Sequence, residues 1–292
     1  MIKSIYIDNF KALNDFTIHL KPLTVLIGGN ACGKSSILQA IQLIMSLVQT
    51  DLDHYIKNRN WAIKDIKSQL SNKNNITLKT TFEFHSQEGQ TNEIQWEFVF
   101  NPVIKEEKIY IRSEKVINLT TTELLLRVNS QGIMRYNAKK KERELIPPLN
   151  LAGSFIKNVD ESKDISTYPF LVQIKKFFLE SDAFDLLLPG KLSQSSRGKV
   201  NSIGYNGEKI AAFIHGLNQN QKKRVEDRLK RYSGFVSTVQ TQQKNKKLGW
   251  VNLSVLEHFT NHQTHIKSEQ LSDGILRIIA IASIAEISDK RE

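Results

Sequence analysis

Cysteine is nearly absent: the 292 residues contain one, Cys32. A single thiol cannot build an internal disulfide framework, which suits a reducing compartment and makes the cytoplasm the expected location. Long hydrophobic runs are also missing. No stretch of 18 or more apolar residues occurs, so no transmembrane helix is expected and no membrane is expected as a partner. The first residues, Met1-Ile2-Lys3-Ser4-Ile5-Tyr6-Ile7-Asp8, lack the apolar core and cleavage site of a signal peptide. Acids are in short supply, 30 against 41 Lys and Arg, giving a formal net charge of +11. That excess permits contact with nucleic acid or another polyanion but does not demand it. What remains is ordinary globular material, 40% hydrophobic and 24% charged, enough for one large domain or two small ones.

The most specific stretch is Gly28-Gly29-Asn30-Ala31-Cys32-Gly33-Lys34-Ser35-Ser36, which fits the phosphate-loop pattern G-x-x-x-x-G-K-[ST]. Before it, Pro22 to Ile27 is apolar and β-branched and reads as a buried strand. After it, Ile37, Ile41, Ile44 and Met45 recur at helical spacing. Strand, glycine loop and helix are the setting that phosphate binding needs. Glycines 28 and 33 free the backbone so that successive N–H groups converge on phosphate oxygens. The helix dipole points at the same place. Lys34 is expected to bridge the β- and γ-phosphates, and Ser35 to offer its hydroxyl to Mg²⁺. Cys32 occupies a variable loop position and reads as a small filler, open to alkylation.

Upstream, Ile2 to Asn9 reads as a strand, Asn9 to Leu13 as a turn and Phe16 to Leu20 as a second strand. Downstream, Thr50 to Asn75 is polar, helical or irregular. Ile76–Phe84 and Ile94–Phe100 alternate as a hairpin, and Lys108–Asn118, Leu124–Val128 and Ile133–Tyr136 read as further strands. Lys139 to Arg143 reads as a charged, exposed loop. Phe170, Leu171, Ile174, Phe177 and Phe178 make one helical face. Two short helices follow, the second with Val225, Leu229 and Tyr232 inward and a basic outer face. Lys222, Lys223 and Arg224 of that face, with Lys244, Lys246 and Lys247, are the best candidate for a DNA-facing patch. Trp250 to Leu256 reads as a strand. Ser268 to Arg277 then leads into an Ile- and Ala-rich helix, with Ser272 or Asp273 as an ordinary N-cap.

The opening order of strand, turn, strand, loop and helix resembles the ATP-binding-cassette (ABC) type ATPases of the RecF and SMC branch. Asn9-Phe10-Lys11 matches that branch's asparagine–phenylalanine–cation motif. Ile27-Gly28-Gly29-Asn30-Ala31-Cys32-Gly33-Lys34-Ser35 matches its loop, asparagine included. Ser272-Asp273-Gly274-Ile275-Leu276-Arg277 resembles the signature of the overcoming-lysogenization-defect (OLD) and RecF-like ATPases. The resemblance implies an α/β P-loop NTPase of the ABC ATPase type, with an inserted antiparallel β subdomain and a helical subdomain. It implies ATP and Mg²⁺ as cofactors. It brings Lys11 toward the nucleotide phosphates, where the residues alone allow equally a solvated lysine in a turn. It also gives Ser272, Asp273 and Gly274 a second anion site, for the γ-phosphate of a nucleotide held by the loop of another subunit. The partners implied are a homodimer or an ATPase-containing complex, joined through an ATP sandwich, with DNA as a candidate ligand.

The expected organisation is one ATPase domain. Residues 1–50 form its loop core, 76–138 its antiparallel part, 165–235 its helical part, and 248–292 a strand and the signature helix. The family continues with a Walker B strand ending in acidic residues, which hold Mg²⁺ and position water. The chain reaches Glu292 about where that strand would begin, so it reads as truncated before Walker B, and its catalytic residues are unassigned. Phe177 to Asp182 imitates such a strand, but its helical periodicity and its place ahead of the signature argue for a core helix. The expected function is an ATP-binding protein and ATPase acting as a nucleotide-gated dimer on DNA, in repair or phage defence. The alternative is a non-hydrolysing ATP-binding module, or a fragment whose Walker B comes from a missing segment or another chain.

Overall fold

Alternation along the strands decides the larger of two cores. The computed structural model describes residues 1–85, 89–186, 188–234, 236–243, 249–259 and 262–287. It divides into two units, Met1–Asp182 and Ala183–Glu292.

In the first unit, β1 (Ile2–Asp8) and β2 (Phe16–His19) precede the loop, followed by helices α1 (Lys34–Ser46) and α2 (Leu52–Asn58). Strands β3 (Ile76–His85), β4 (Thr91–Val103), β5 (Lys108–Asn118), β6 (Glu123–Asn129), β7 (Gly132–Asn137) and β8 (Glu142–Ile146) come next, then α3 (Pro169–Leu179). The eight strands form one sheet in the order β2-β1-β3-β4-β5-β6-β7-β8, every neighbouring pair antiparallel. Along β4, Ile94, Trp96, Phe98 and Phe100 are buried while the residues between them are not. The period of two turns these four to one face. They share a core with Ile37, Leu43 and Ile44 of α1 and Leu171, Ile174 and Phe178 of α3. Each such side chain stabilises the fold by about 1.5–3 kcal/mol.

The expected antiparallel strands after the first helix are present, and they join the opening strands in one sheet, β1 lying between β2 and β3 with Ile7 opposite Leu78. Two expectations change here. Lys139 to Lys141 do form a turn, but Glu142 and Arg143 begin β8, an edge strand. Charge on an edge strand blocks further pairing and hides the strand from an alternation test. Pro22 to Ile27 is extended but joins no ladder, and Leu23, Val25 and Ile27 are 82%, 68% and 90% exposed. A buried parallel strand needs neighbours and covering helices. Among the described residues every ladder is antiparallel, and none reaches this segment.

The second unit holds α4 (Pro189–Leu192), β9 (Ser196–Arg197), α5 (Ile210–His215), α6 (Gln219–Lys230), β10 (Val236–Gln243), β11 (Trp250–Phe259), β12 (His262–Lys267) and α7 (Asp273–Ile284). Strands β10, β11 and β12 pair antiparallel, and β9 adds to β11. Phe213, Leu229, Val255, Leu276 and Ile279 anchor its core. Tyr232, expected inward on α6, is 74% exposed. The helix ends at Lys230, so its period no longer carries Tyr232 to the core. No helix among the described residues is long and apolar enough to cross a membrane.

Candidate phosphate-binding site

Gly33 stands at φ +92, a left-handed conformation that L side chains rarely adopt, and from there the chain enters α1. No side chain caps that helix and its first turn contains no acid. Its leading N–H groups and dipole are therefore directed at whatever lies against the loop. Lys34 Nζ folds back over the loop, donating to the carbonyls of Gly28 at 2.8 Å and Gly29 at 2.6 Å, with Cys32 Sγ at 3.5 Å. Gly28 is required for a different reason. A Cβ there would meet Cys32 Sγ at 2.8 Å. Asn30, Ala31, Cys32 and Ser35 are exposed, and Ser36 is half-buried at the helix start. The loop is solvent-open, and the uncapped backbone donors of the helix start lie beside one ammonium and one hydroxyl. It suits a polyphosphate and its counter-ion.

Lys11 is not a solvated side chain. It sits at φ +51 in the turn after β1 and donates to Gln39 Oε1 on α1 at 2.8 Å. Its ammonium lies 3.5 Å from the centroid of the Trp61 ring. Burial, reinforced by the nearby Arg59, lowers its pKa to about 8. Arg59 in turn donates to Gln42 Oε1 of α1. The sequence offered no signal for Trp61, Arg59, Gln39 or Gln42. Trp61 and Arg59 fall in the polar stretch after α1, where no periodicity marks them.

Ser272 is the N-cap of α7, its Oγ accepting from Ile275 N at 3.4 Å, while Asp273 and Gly274 are exposed in the first turn. That bond is long, so the hydroxyl is held loosely. The basic face of α6 is partly spent. Arg224 donates to both oxygens of Glu286, at 2.6–3.1 Å, and Arg228 pairs with the same carboxylate. Burial alone would raise the Glu286 pKa, yet the two guanidiniums hold it below the usual range. Lys222 donates to the carbonyl of His215. Arg224 is thus committed to an internal pair, and Lys223 is exposed. Lys244, Lys246 and Lys247 lie outside the described residues, as does the segment after Ile287. Phe177 and Phe178 lie in α3, so the Walker B look-alike is a core helix. Among the described residues, no group of three or more His, Cys, Asp or Glu side chains could hold a metal.

Residues 1–292 match the model of the AAA ATPase domain family. A stretch of 52 residues is 40% identical to the OLD nuclease of Thermus scotoductus, covering 18% of this chain and 10% of that protein. The chain thus matches only a tenth of that relative's length. The solved structure of an SMC head bound to the C-terminal winged-helix domain of ScpA is also similar, with a TM-score of 0.51 at 12% identity. That match covers 99% of this chain and 77% of the other, and speaks for the fold. The family model spans the whole chain, and the chain belongs to the AAA ATPase domain family.

Proposed function

We propose that the loop from Gly28 to Ser36 binds the phosphates of ATP and that ATP then holds two chains together on DNA. The observation that carries this reading is the uncapped start of α1 behind a left-handed Gly33, with Lys34 reaching over the loop. Loop N–H groups and Lys34 bind and orient the β- and γ-phosphates, and the Ser35 hydroxyl is a ligand for Mg²⁺. When bound, that ion neutralises charge that develops on the phosphates. Lys11 leans on Gln39 of the same helix and adds positive charge near it. Ser272, Asp273 and Gly274 receive the γ-phosphate of a partner's nucleotide at the start of α7. Roles in DNA repair or phage defence follow from the resemblance to RecF and OLD proteins.

A second reading, an ATP-dependent assembly module without turnover of its own, draws on the exposed segment from Pro22 to Gly29. Its backbone groups join no ladder. A strand carrying the water-positioning acid would pair there, supplied from outside residues 1–292 or by another chain. Steady-state ATP turnover separates the two. Phosphate release above that of Lys34→Ala supports the enzyme, and release equal to it supports the module. Filter retention of duplex DNA with ATP at modest salt tests the DNA role. Lys222→Gln with Lys223→Gln should weaken retention and flatten its salt dependence. Unchanged retention would remove α6 from the interface.

A further inference from the structure

A cavity of 390 Å³ opens beside Trp61, within the volume range of small-molecule sites, about 300–1,000 Å³. It is built where α2, the turn after it and the β4–β5 connection converge. Asp53 and Lys57 come from successive turns of α2, Lys64 from the short 3-10 turn Ile63–Asp65, and Ile104 and Glu107 from the connection. The indole forms part of the wall. The side chains of Asp53, Lys57, Lys64 and Glu107 make no hydrogen bond or ion pair among the described residues.

We propose that this cavity is a second nucleotide site, separate from the phosphate loop. The lining asks for a flat ring, an anion and hydroxyl or amino donors in one molecule. Trp61 gives the lining an aromatic side chain. Lys57 and Lys64 offer two free ammonium groups for phosphate. Asp53 and Glu107 can accept from ribose hydroxyls or an exocyclic amine. A purely apolar occupant would desolvate four charged groups without compensation, which is costly. Inorganic phosphate would leave the indole and Ile104 uncovered. The surroundings also favour an anion, since Lys11 and Arg59 lie on the same indole, at 3.5 and 5.9 Å.

The cavity is wired to α1. Trp61 carries Lys11 on its ring, and Lys11 holds Gln39. Gln39 is five residues past Lys34, about 7.5 Å along the helix axis. Occupancy beside Trp61 therefore changes the environment of the same helix that starts at the phosphate loop. The inference stands independently of the loop's own ligand.

Equilibrium dialysis with radiolabelled ATP tests it. The native chain is expected to bind two ATP, and Lys34→Ala one. In the Lys34→Ala background, Trp61→Ala should abolish the remaining site. Lys57→Glu with Lys64→Glu should weaken it at least tenfold. The lysines are exposed, so this pair keeps the fold even where the tryptophan variant does not. A native stoichiometry of one that Lys34→Ala removes overturns the proposal, as does residual binding indifferent to both sets of variants. A stoichiometry of one that survives Lys34→Ala and is lost with the lysine pair would sink the phosphate-loop reading and leave the cavity standing.

Discussion

Gly33 and Gly29 are neighbours in one motif with different physical obligations. Gly33 is held at φ +92, where a Cβ costs about 1–2 kcal/mol whatever the space around it. A Cβ on Gly29 meets nothing within 4 Å. Gly33→Ala should therefore lower the unfolding free energy by about 1 kcal/mol and abolish ATP binding, whereas Gly29→Ala leaves stability unchanged. Denaturant titration with ATP-binding isotherms for the two variants checks both halves. Glu114 poses a different residue-level problem. It is buried in β5, accepting from Trp96 Nε1 at 2.9 Å, Ser154 Oγ at 2.5 Å and Phe155 N at 2.6 Å. Burial raises its pKa from 4.5 to about 7, against the pull of those donors. The folded state therefore binds more protons than the unfolded state between those values. The group's contribution to stability is complete below pH 4.5 and is lost as pH rises toward 7, a total of about 3 kcal/mol. Glu114→Gln should lower stability at acid pH, because an amide N–H would face the Phe155 N–H, and should remove that much of the decline between pH 5 and 8. An identical pH slope in native and variant unfolding curves would count against the assignment.

Elements were legible where one face is buried and the period is unbroken. Strands β3 and β4, helix α3 and the α7 start were readable because burial enforces alternation or a 3.6 period. Strands β8 and β12 were not. Charge and histidine along them give no alternation, and they sit at sheet edges where only one neighbour imposes order. The loop motif was readable because its chemistry demands particular residues at fixed spacing. Trp61 was not, because its partner Lys11 is fifty residues away and meets it only in the fold. Helix α6 shows a third kind of limit. Its basic face looked like a nucleic-acid contact, but a residue's charge does not reveal whether an acid waits elsewhere in the chain. Glu286 is fully buried between Arg224 and Arg228, 58 to 62 residues away. Glu286→Gln leaves two guanidiniums facing a neutral amide and should destabilise the α6–α7 pair by about 3 kcal/mol. The check is a chemical-denaturation midpoint. A shift within 0.5 kcal/mol of native, the usual range for surface changes, would show that the ion pair is incidental.

At the scale of the whole molecule, the loop and the serine-capped start of α7 belong to different units of the chain, Met1–Asp182 and Ala183–Glu292. In the proposed assembly each half-site is completed by a second copy. Two variants expose that logic. Lys34→Ala removes the ammonium over the loop. Gly274→Asp adds a carboxylate in the first turn of α7, where a Cβ meets only Ser272 Oγ, at 4.0 Å. A negative charge there favours the helix dipole, so the fold is kept while an incoming phosphate is repelled. With ATP in sedimentation velocity, the native chain is expected to dimerise and each variant alone to remain monomeric. Mixing the two restores one intact site, because the functional loop of the Gly274→Asp chain faces the functional α7 start of the Lys34→Ala chain. The mixture should therefore dimerise, more weakly than the native chain. A Gly274→Asp chain that dimerises with ATP as the native one does would mean that the α7 start takes no part in nucleotide binding. A mixture that stays monomeric would mean that the two features do not meet across a pair of chains.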